Sequence, residues 1–266
     1  MTKGEASDII VIPARYSSSR FPGKPLAMIA GKSLIERVWR VASAVKPPVQ
    51  VVIATDDSRI EEHARSFGAK VVQTSASCRN GSERVHEALR VMNSAPETVI
   101  NLQGDTPLTP PWALEALLEA MRKNSEIQIA TPAVRLTLAD HEKAEEKLRK
   151  SVSGTYVAIS KEGKALYFSR YPIPYIRSDS AKNTSLPFFK HLGIYAYRPA
   201  ALARYISLPP SPLEELEQLE QLRALEHGIP IHVVEVSLRG RTLVSVDTPE
   251  DAREAERIIE TQGDVL

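Results

Sequence analysis

The sequence predicts an α/β protein with a mostly parallel sheet that helices cover on both faces. Three observations support this prediction. Short apolar runs alternate with stretches of helical periodicity through the first half of the chain. Several of those helical stretches carry recognisable start and stop residues. The 266 residues, 42% of them apolar, suffice for a sizeable core in one large domain or two small ones.

The first half of the chain shows five apolar runs that predict strands, at residues 9–13, 49–54, 70–73, 98–102 and 127–134. Helices are predicted between them. A capping box from Ser33 to Glu36 opens the first helix, whose apolar residues fall on one face. The second helix, 58–67, ends at Gly68, and helices over 82–92 and 110–123 follow.

From about residue 138 the pattern changes, which predicts a smaller inserted lobe. It contains a charged helix over 139–150, strands at 155–159, 166–169 and 190–197, a mobile polar loop at 177–185 and a helix over 213–226 that ends at Gly228. A strand at 231–236 returns the chain to the core, and the run 244–246 leads to a last helix capped by Thr248 or Asp247. We therefore expect three segments, 1–137, 138–228 and 229–266.

Composition excludes several classes of function. The chain has 34 Lys and Arg residues against 33 Asp and Glu residues, so no global charge favours nucleic acid or a membrane surface. The single cysteine, Cys78, excludes an internal disulfide and a multi-cysteine zinc site. The first residues lack an apolar signal core, and no apolar run approaches the ~18 residues of a membrane span. We expect a soluble, cytoplasmic protein.

The loop after the first strand is dense in hydroxyl groups and cations. Gly23 permits close backbone approach, and the three serines from residue 17 to Ser19 supply hydroxyl groups. Arg15, Arg20 and Lys24 supply positive charge. These features suit a polyphosphate. The loop is not a Walker motif, because Pro25 follows the lysine and the first glycine of that motif is absent. The alternative interpretation is a solvated basic loop between strand and helix.

Polar residues also follow the other predicted strands, at 55–57, 74–84 and 103–105, so one crevice at the carboxyl ends of the strands could hold them all. Asp105 and Asp247 each follow an apolar strand. Two strand-end carboxylates beside a phosphate-type loop predict a pair of Mg²⁺ ligands. The alternative for either residue alone is a turn former or helix cap.

Other polar residues leave two interpretations open. His191 is either a ligand-binding histidine or a hydrogen-bonded, partly buried one. Arg170 either binds a substrate carboxylate or forms a surface ion pair. Glu220 and Gln221 belong to a very polar helix, most of which is expected to be solvated. Cys78 has no companion nucleophile or base and is expected to be inert.

A series of motifs spans nearly the whole chain in order. They are Pro13-Ala-Arg-Tyr-Ser-Ser-Ser-Arg-Phe-Pro-Gly-Lys-Pro-Leu26, Ala54-Thr-Asp-Asp57, Asn80-Gly-Ser-Glu-Arg84, Asn101-Leu-Gln-Gly-Asp105, Ala165-Leu-Tyr-Phe-Ser-Arg170, His191-Leu-Gly-Ile-Tyr195, Pro210-Ser-Pro-Leu-Glu214, Leu219-Glu-Gln-Leu-Arg223 and Val246-Asp-Thr-Pro-Glu-Asp251. The series resembles the 3-deoxy-manno-octulosonate cytidylyltransferases, or CMP-Kdo synthetases.

This resemblance implies a three-layer Rossmann-like fold of the GT-A type with a smaller inserted lobe for substrate binding and dimerisation. It also implies that CTP and the eight-carbon sugar acid Kdo react to give CMP-Kdo and pyrophosphate for lipopolysaccharide synthesis. Mg²⁺ would be the cofactor, and the active form would be a homodimer built largely from residues 138–228. The core, residues 1–137, would bind the nucleotide, and residues 229–266 would bring the second metal-site aspartate.

The resemblance also assigns roles to individual residues. Arg15, Lys24, Asp105 and Asp247 would be catalytic, with the two aspartates holding Mg²⁺. The nucleotide would be bound by Ala14, Arg15, Ser19, Arg20, Lys24, Thr74, Asn80, Gly81, Arg84 and Gln103. The sugar-acid pocket would consist of Arg84, Gln103, Arg170, His191, Tyr195, Glu220 and Gln221, where Arg170 or Arg84 would meet the acceptor's carboxylate.

Three positions depart from the family pattern. Thr106 replaces a glutamate, Tyr156 replaces a lysine, and Asn80-Gly-Ser82 replaces a Ser-Gly-Thr sequence. The first two lie near the sugar-acid pocket that the resemblance implies. The acceptor therefore stays open between Kdo and a modified acid such as 8-amino-8-deoxy-Kdo or another ulosonic acid. A non-catalytic sugar-nucleotide-binding homologue is the alternative of a different class.

Overall fold

The fold is described by a computed structural model that covers residues 8–148, 154–177 and 187–266. Its strands are β1 (Ile9–Ala14), β2 (Met28–Ile29), β3 (Lys32–Ser33), β4 (Gln50–Thr55), β5 (Lys70–Gln73), β6 (Val99–Asn101), β7 (Ile129–Arg135), β8 (Tyr156–Ile159), β9 (Ala165–Ser169), β10 (Phe189–His191), β11 (Tyr195–Tyr197) and β12 (Ile231–Glu235). Its helices are α1 (Leu34–Ser43), α2 (Ser58–Ser66), α3 (Gly81–Val91), α4 (Pro111–Lys123), α5 (Leu138–Leu148), α6 (Pro199–Ile206), α7 (Pro212–Glu217), α8 (Gln221–Glu226) and α9 (Pro249–Gln262).

All strands except the β2–β3 hairpin belong to one sheet, in the order β5-β4-β1-β6-β11-β7-β10-β8-β9, with β12 paired to β7. The strands from β5 to β6 run parallel, and β12 runs parallel to β7. Strand β11 is antiparallel to both β6 and β7. The predicted α/β class with a mixed sheet is confirmed.

The core lies on both faces of this sheet. Successive residues of β1 alternate between the faces, as the period of a strand requires: Ile10 and Ile12 pack in one cluster with the residues of α1 and α4, and Ile9 and Val11 pack in a second cluster with residues of α3 and α6. Because every residue of β1 is buried, the strand reads as a continuous apolar run. The helices therefore form a layer on each face of the sheet.

Two predicted elements are interrupted in the structure. The strand predicted at 190–197 is broken into β10 and β11 by the residues 192–194, which turn out of the ladder. The helix predicted at 213–226 is broken into α7 and α8, because Gln218 adopts a left-handed conformation with φ 53°. Neither interruption carries a proline or a glycine-rich turn that would announce it in the sequence, apart from the lone Gly193.

Three smaller expectations have different outcomes. Thr248 caps α9 through a hydrogen bond from the Asp251 backbone, so Asp247 is not the cap. The run 244–246 forms no strand. The loop predicted at 177–185 lies outside the described residues except for Arg177, as do the last two residues of the helix predicted at 139–150.

Strands β8 to β11, which belong to the predicted second segment, join the same sheet as β1. The boundaries at residues 137 and 228 therefore stay predictions. Within residues 8–148, 154–177 and 187–266, no helix is both long and apolar enough to span a membrane.

The β2–β3 hairpin is linked to the C-terminal helix by the buried Arg37. Its guanidinium donates to the carbonyls of Ile29 at 2.6 Å and Ala30 at 2.8 Å, and pairs with Asp264 at 2.9 Å. Glu256 of α9 accepts from the Ala30 backbone N–H at 2.8 Å. These contacts fix α9 against the segment that follows the basic loop.

We expect Asp264→Asn to lower the free energy of unfolding by about 1–3 kcal/mol, because the buried Arg37 would lose its counter-charge. Burial raises the pKa of Asp264, but its hydrogen bond and ion pair with Arg37 outweigh this and leave that pKa below its ordinary value. The contribution is therefore present near neutral pH and is lost as pH falls through the folded pKa, below about 4.

Urea unfolding of wild type and variant at pH 7 and at decreasing pH measures this contribution. The matched control is Glu254→Gln on the same helix, whose partner Arg257 is largely exposed and whose loss should change the stability less. Equal stabilities of Asp264→Asn and the control at pH 7 would contradict the role of the pair.

Candidate functional site

A cleft of about 1580 Å³ opens at the carboxyl ends of the parallel strands. Its walls are the loop after β1, the start of α3, the turn after β6, the β10–β11 turn, the α7–α8 junction and the segment before α9. All the predicted site residues line it except Thr74. Its position at the strand ends is the one expected for ligands of open α/β sheets.

Contacts of Tyr16 fix the conformation of the basic loop at one end of the cleft. Gly23 adopts φ 72°, and a Cβ there would lie 3.1 Å from the Tyr16 ring, so only glycine fits this turn without strain. The Gly23 N–H donates to the Tyr16 carbonyl at 3.0 Å. The Arg59 guanidinium covers the Tyr16 ring at 3.3 Å from its centroid. The exposed Arg15, Ser19 and Arg20 therefore project from a fixed turn.

The Lys24 ammonium lies between two carboxylates. Its Nζ is 3.1 Å from Asp105 Oδ2 and 3.1 Å from Asp247 Oδ1, while Arg20 Nη2 is 3.2 Å from the same Asp247 oxygen. The two aspartates, which are far apart in sequence, thus face one point. The backbone joins them as well, because the Val246 N–H donates to the Asp105 carbonyl at 2.8 Å.

Gly104 brings the turn that carries Asp105 against the end of β1. A Cβ at this position would lie 2.8 Å from the Pro13 carbonyl oxygen, a distance that no real side chain tolerates. Any other residue would push Asp105 away from the basic loop. Glycine is therefore required at position 104 for the turn to pack against the end of β1.

The donor set at this point fits Mg²⁺. Two hard carboxylate oxygens converge on a position that already holds a cation, the Lys24 ammonium, and Mg²⁺ commonly takes only one or two protein carboxylates with water and phosphate completing its coordination. Within the described ranges there is no cluster of three or more His, Cys, Asp or Glu side chains suited to a metal. A protein-only cage is thus absent from that part of the chain.

The next part of the cleft is formed by the start of α3. Asn80 caps this helix by accepting from the Glu83 backbone N–H at 2.9 Å, and Gly81 lies against the amide of Gln103. The buried Arg84 donates to the Thr74 hydroxyl at 2.6 Å and lies 3.4 Å from Asp56. Thr74 thus stands behind Arg84 rather than on the cleft wall.

Arg170 lies at the far end of the cleft, where it is held by backbone oxygens. Its guanidinium donates to the carbonyls of Gln218 at 2.9 Å, Glu217 at 3.2 Å and Gly154 at 3.2 Å. Among the described residues no carboxylate forms an ion pair with it. The described residues thus show no surface ion pair for Arg170, and within them its positive charge is placed to receive an anionic ligand.

His191, Tyr195 and Glu220 form an enclosed polar group beside Arg170. Burial, together with the nearby Arg170 charge, lowers the pKa of His191 to about 3. Burial raises the pKa of Glu220, which the charge of Arg223 only partly opposes, and burial with the Glu220 charge raises the pKa of Tyr195. The group thus contains a histidine that is neutral at physiological pH.

Gln221, at the start of α8, is 5% exposed, and its Nε2 has no hydrogen-bond partner among the described residues. A buried amide donor without an acceptor is costly unless a ligand supplies one. This unpaired donor in the cleft wall indicates a polar partner that the described residues do not supply. Its position in a helix expected to be mostly solvated could not have indicated this.

Sequence reasoning missed two residues of this region. Glu217 accepts from the Ser169 hydroxyl at 2.9 Å and from the Arg170 backbone at 2.8 Å, and so fixes the turn that presents Arg170. Thr131 of β7 lies fully buried against His191 at 2.8 Å. Glu217 has no feature that separates it from the other glutamates of its helix, and Thr131 reads as an ordinary strand residue.

The comparisons with known proteins agree with this geometry. A family model described as cytidylyltransferase matches residues 9–233. The 3-deoxy-manno-octulosonate cytidylyltransferase of Maricaulis maris (strain MCS10) is 47% identical over 261 residues, which cover 98% of this chain and 100% of that protein. This chain belongs to the 3-deoxy-manno-octulosonate cytidylyltransferase family. The resemblance stated from the motifs is confirmed.

This cytidylyltransferase has further relatives of the same kind. The 3-deoxy-manno-octulosonate cytidylyltransferase of Elusimicrobium minutum (strain Pei191) is 41% identical over 251 residues, covering 94% of this chain and 97% of that protein. A solved structure described as CMP:2-keto-3-deoxy-manno-octonic acid synthetase complexed with CTP superimposes with a TM-score of 0.84 at 37% identity, covering 96% of this chain and 99% of that one. The predicted fold and the enzyme class, a nucleotidyltransferase, are both confirmed.

Cys78 lines the cleft of this cytidylyltransferase but is protected from reaction. Its Sγ donates to Glu87 Oε2 at 2.8 Å, and burial, followed by this hydrogen bond and the Glu87 charge, raises the pKa of the thiol to about 12. Only about 10⁻⁴ of such a thiol is ionised at pH 8, against roughly a quarter of an ordinary cysteine.

We therefore expect iodoacetamide to alkylate Cys78 about 10³-fold more slowly in the folded protein than in urea at pH 8. Glu87→Gln removes the charge and should raise the rate, whereas Glu83→Gln, one turn earlier, should raise it less. Mass spectrometry of timed samples measures these rates. Alkylation of the folded wild type at the rate found in urea would contradict the assigned hydrogen bond.

Proposed function

We propose that this enzyme transfers CMP from CTP to 3-deoxy-manno-octulosonate and releases pyrophosphate. The single observation that carries the proposal is the meeting of Lys24, Asp105 and Asp247 at one point beside Arg15 and Arg20. A triphosphate and a divalent cation need this combination of cations and carboxylates. Further support comes from the cytidylyltransferase activity for which the Maricaulis maris relative is named and from the CTP held by the similar solved structure.

The basic loop binds the triphosphate in this proposal. Arg15, Arg20 and Lys24 offset the negative charge that builds on the leaving pyrophosphate, and the start of α3, with its unpaired N–H groups, adds a favourable dipole nearby. Asp105 and Asp247 would hold Mg²⁺. When bound, the ion would supply further charge neutralisation and orient the phosphates.

The far end of the cleft binds the acceptor. Arg170, whose charge no described carboxylate balances, receives the acceptor's carboxylate, and Gln221 lines the same cleft. The acceptor's anomeric hydroxyl then attacks the α-phosphorus in line with the leaving group. One P–O bond forms while the bond to pyrophosphate breaks, and the hydroxyl proton is released.

Two substitutions favour a second candidate, the activation of a modified acid. Thr106 donates to the Gln103 carbonyl at 3.0 Å, and Tyr156 is 6% exposed at the acceptor end of the cleft. The family pattern has a glutamate and a lysine there, so one charge of each sign is missing. An acceptor such as 8-amino-8-deoxy-Kdo or another ulosonic acid, which differs in its polar groups, would account for both changes.

The biological setting of the proposal is the supply of CMP-Kdo for lipopolysaccharide synthesis in the cytoplasm. The single cysteine, Cys78, leaves no internal disulfide, which fits a reducing compartment. A non-catalytic homologue is disfavoured because Lys24, Asp105 and Asp247 are all in place. Binding of CTP without turnover on any acceptor would nevertheless establish it.

The proposed enzyme is a homodimer that pairs through the β9 edge of the sheet. β9 ends the strand order, and four large apolar side chains on or near it are exposed: Leu166 by 64%, Tyr171 by 50%, Tyr175 by 76% and, on the adjoining α7, Leu216 by 81%. An exposed edge with this many apolar groups is covered in most proteins. In the proposed homodimer, a second copy of the chain covers the β9 edge.

Pyrophosphate release from CTP, Mg²⁺ and Kdo tests the function directly, and replacing Kdo with the 8-amino analogue in the same assay separates the two acceptors. We expect Asp105→Ala and Asp247→Asn each to lower kcat by about 10²-fold or more while the fold is retained. The matched control is Glu250→Gln, three residues after Asp247 in the first turn of α9. Its side chain is largely exposed, pairs with the exposed Arg253 and does not line the cleft.

Activity of Asp105→Ala or Asp247→Asn equal to that of Glu250→Gln would remove the metal assignment. Absence of turnover with every ulosonic acid, by wild-type enzyme that binds CTP, would remove the proposed activity.

The dimer is tested by light scattering after size exclusion. We expect wild type to elute with the mass of two chains and Leu166→Asp with Leu216→Asp to shift it towards one chain, because charge replaces apolar contact. Val91→Asp is the control, since Val91 is equally a large exposed apolar residue but lies on α3. A monomeric wild type, or dissociation by the Val91 change alone, would contradict the β9 interface.

A further inference from the structure

The break between β10 and β11 places one hydroxyl group against three polar atoms. The Thr131 Oγ1 lies 2.7 Å from the Ile194 carbonyl oxygen, 3.3 Å from the Leu192 carbonyl oxygen and 2.8 Å from His191 Nε2. Thr131 is fully buried on β7, so no water replaces these contacts. The Leu192 carbonyl oxygen also accepts from the Ile194 backbone N–H at 2.6 Å.

A hydroxyl carries a single proton, and carbonyl oxygens can only accept. If the Thr131 proton were directed at His191, the Ile194 oxygen at 2.7 Å would face hydroxyl lone pairs with no hydrogen between them. The proton therefore goes to the Ile194 carbonyl. The remaining short contact, 2.8 Å to His191 Nε2, is a hydrogen bond only if the ring nitrogen donates.

The ring has no second proton to offer. His191 is 6% exposed, and its enclosure beside the positive Arg170 keeps the imidazole neutral, with one N–H. Since that N–H is at Nε2, Nδ1 carries a lone pair. Nδ1 makes no hydrogen bond to any described residue, and it is not among the sealed polar atoms of that part of the chain.

The ring cannot turn away from this arrangement. Phe168 contacts it edge-on at 5.0 Å between centroids, Tyr195 packs at 5.5 Å, and the His191 backbone N–H is held by the Thr155 carbonyl at 2.8 Å. Such packing gives the imidazole one orientation. Its free edge belongs to the wall of the cleft.

We propose that Thr131 is a positioning residue that fixes His191 as the Nε2–H tautomer, so that Nδ1 accepts a hydrogen bond from a hydroxyl group of the acceptor substrate. The proposal rests on the proposed function for the identity of the acceptor, but the tautomer does not depend on it. The site then selects an O–H donor at this point, because a carbonyl or carboxylate oxygen would meet the Nδ1 lone pair.

Nitrogen NMR of the free protein at pH 7.5 tests the tautomer. In uniformly ¹⁵N-labelled wild type, with the His191 signals assigned by their loss in His191→Gln, we expect a protonated-type shift for Nε2 and an unprotonated-type shift for Nδ1. Thr131→Ser keeps the hydroxyl and should keep this pattern. Thr131→Val, of similar shape, should give a mixture or the opposite tautomer.

Kinetics provide the second readout. We expect Thr131→Val to raise KM for the acceptor about tenfold, the effect of one hydrogen bond, with KM for CTP unchanged. Thr131→Ser should restore the wild-type KM. The control is Thr98→Val, a fully buried threonine whose hydroxyl accepts from Arg198 at 3.3 Å, far from the acceptor end.

The outcomes separate the two proposals. A proton on Nδ1 in wild type, or an unchanged tautomer and acceptor KM in Thr131→Val, would overturn the role of Thr131. Failure of wild type to use any ulosonic acid would instead overturn the proposed function, while the spectrum would still decide the tautomer. The wild-type spectrum also decides it if Thr131→Val does not fold.

Discussion

The rest of the site depends on the ion contacts between the Lys24 ammonium and the carboxylates of Asp105 and Asp247, each at 3.1 Å. These three residues come from the loop after β1, the turn after β6 and the segment before α9. The contact therefore holds these three segments together. Gly104 permits the approach, and the Arg37 link holds α9 beside the hairpin that follows Lys24. Two carboxylates so close together are stable only with a cation between them, which is the electrostatic reason that the point suits a divalent ion.

The two ends of the cleft use charge differently. At the basic loop the cations are exposed and clustered, which suits a ligand with several negative charges that enters from solvent. At the acceptor end a single guanidinium, Arg170, is surrounded by carbonyls and by an enclosed neutral histidine. Such surroundings suit one carboxylate together with hydroxyl groups. Under the proposed function, the number and burial of these charges would direct a triphosphate to one end of the cleft and a sugar acid to the other.

Much of this arrangement could be predicted from the sequence. The strands β1, β4, β5 and β6 and the helices between them carry local signatures, namely apolar runs and caps, and the strand-end residues follow from the parallel order. The breaks at residues 192–194 and at Gln218 could not be predicted, because they are set by tertiary contacts, including the Thr131 hydroxyl and the Arg170 guanidinium. Those same breaks shape the far end of the cleft, which is why sequence reasoning missed Glu217 and Thr131 there.

The central claim is that Asp105 and Asp247 form a cation site that Lys24 occupies when no ligand is present. A crystal structure of the enzyme with a non-hydrolysable CTP analogue and Mn²⁺, with anomalous data, tests it most directly. The account predicts an anomalous peak between the two carboxylates and the Lys24 ammonium displaced onto a phosphate oxygen. A metal bound only by the nucleotide, with Lys24 still between Asp105 and Asp247, would contradict it.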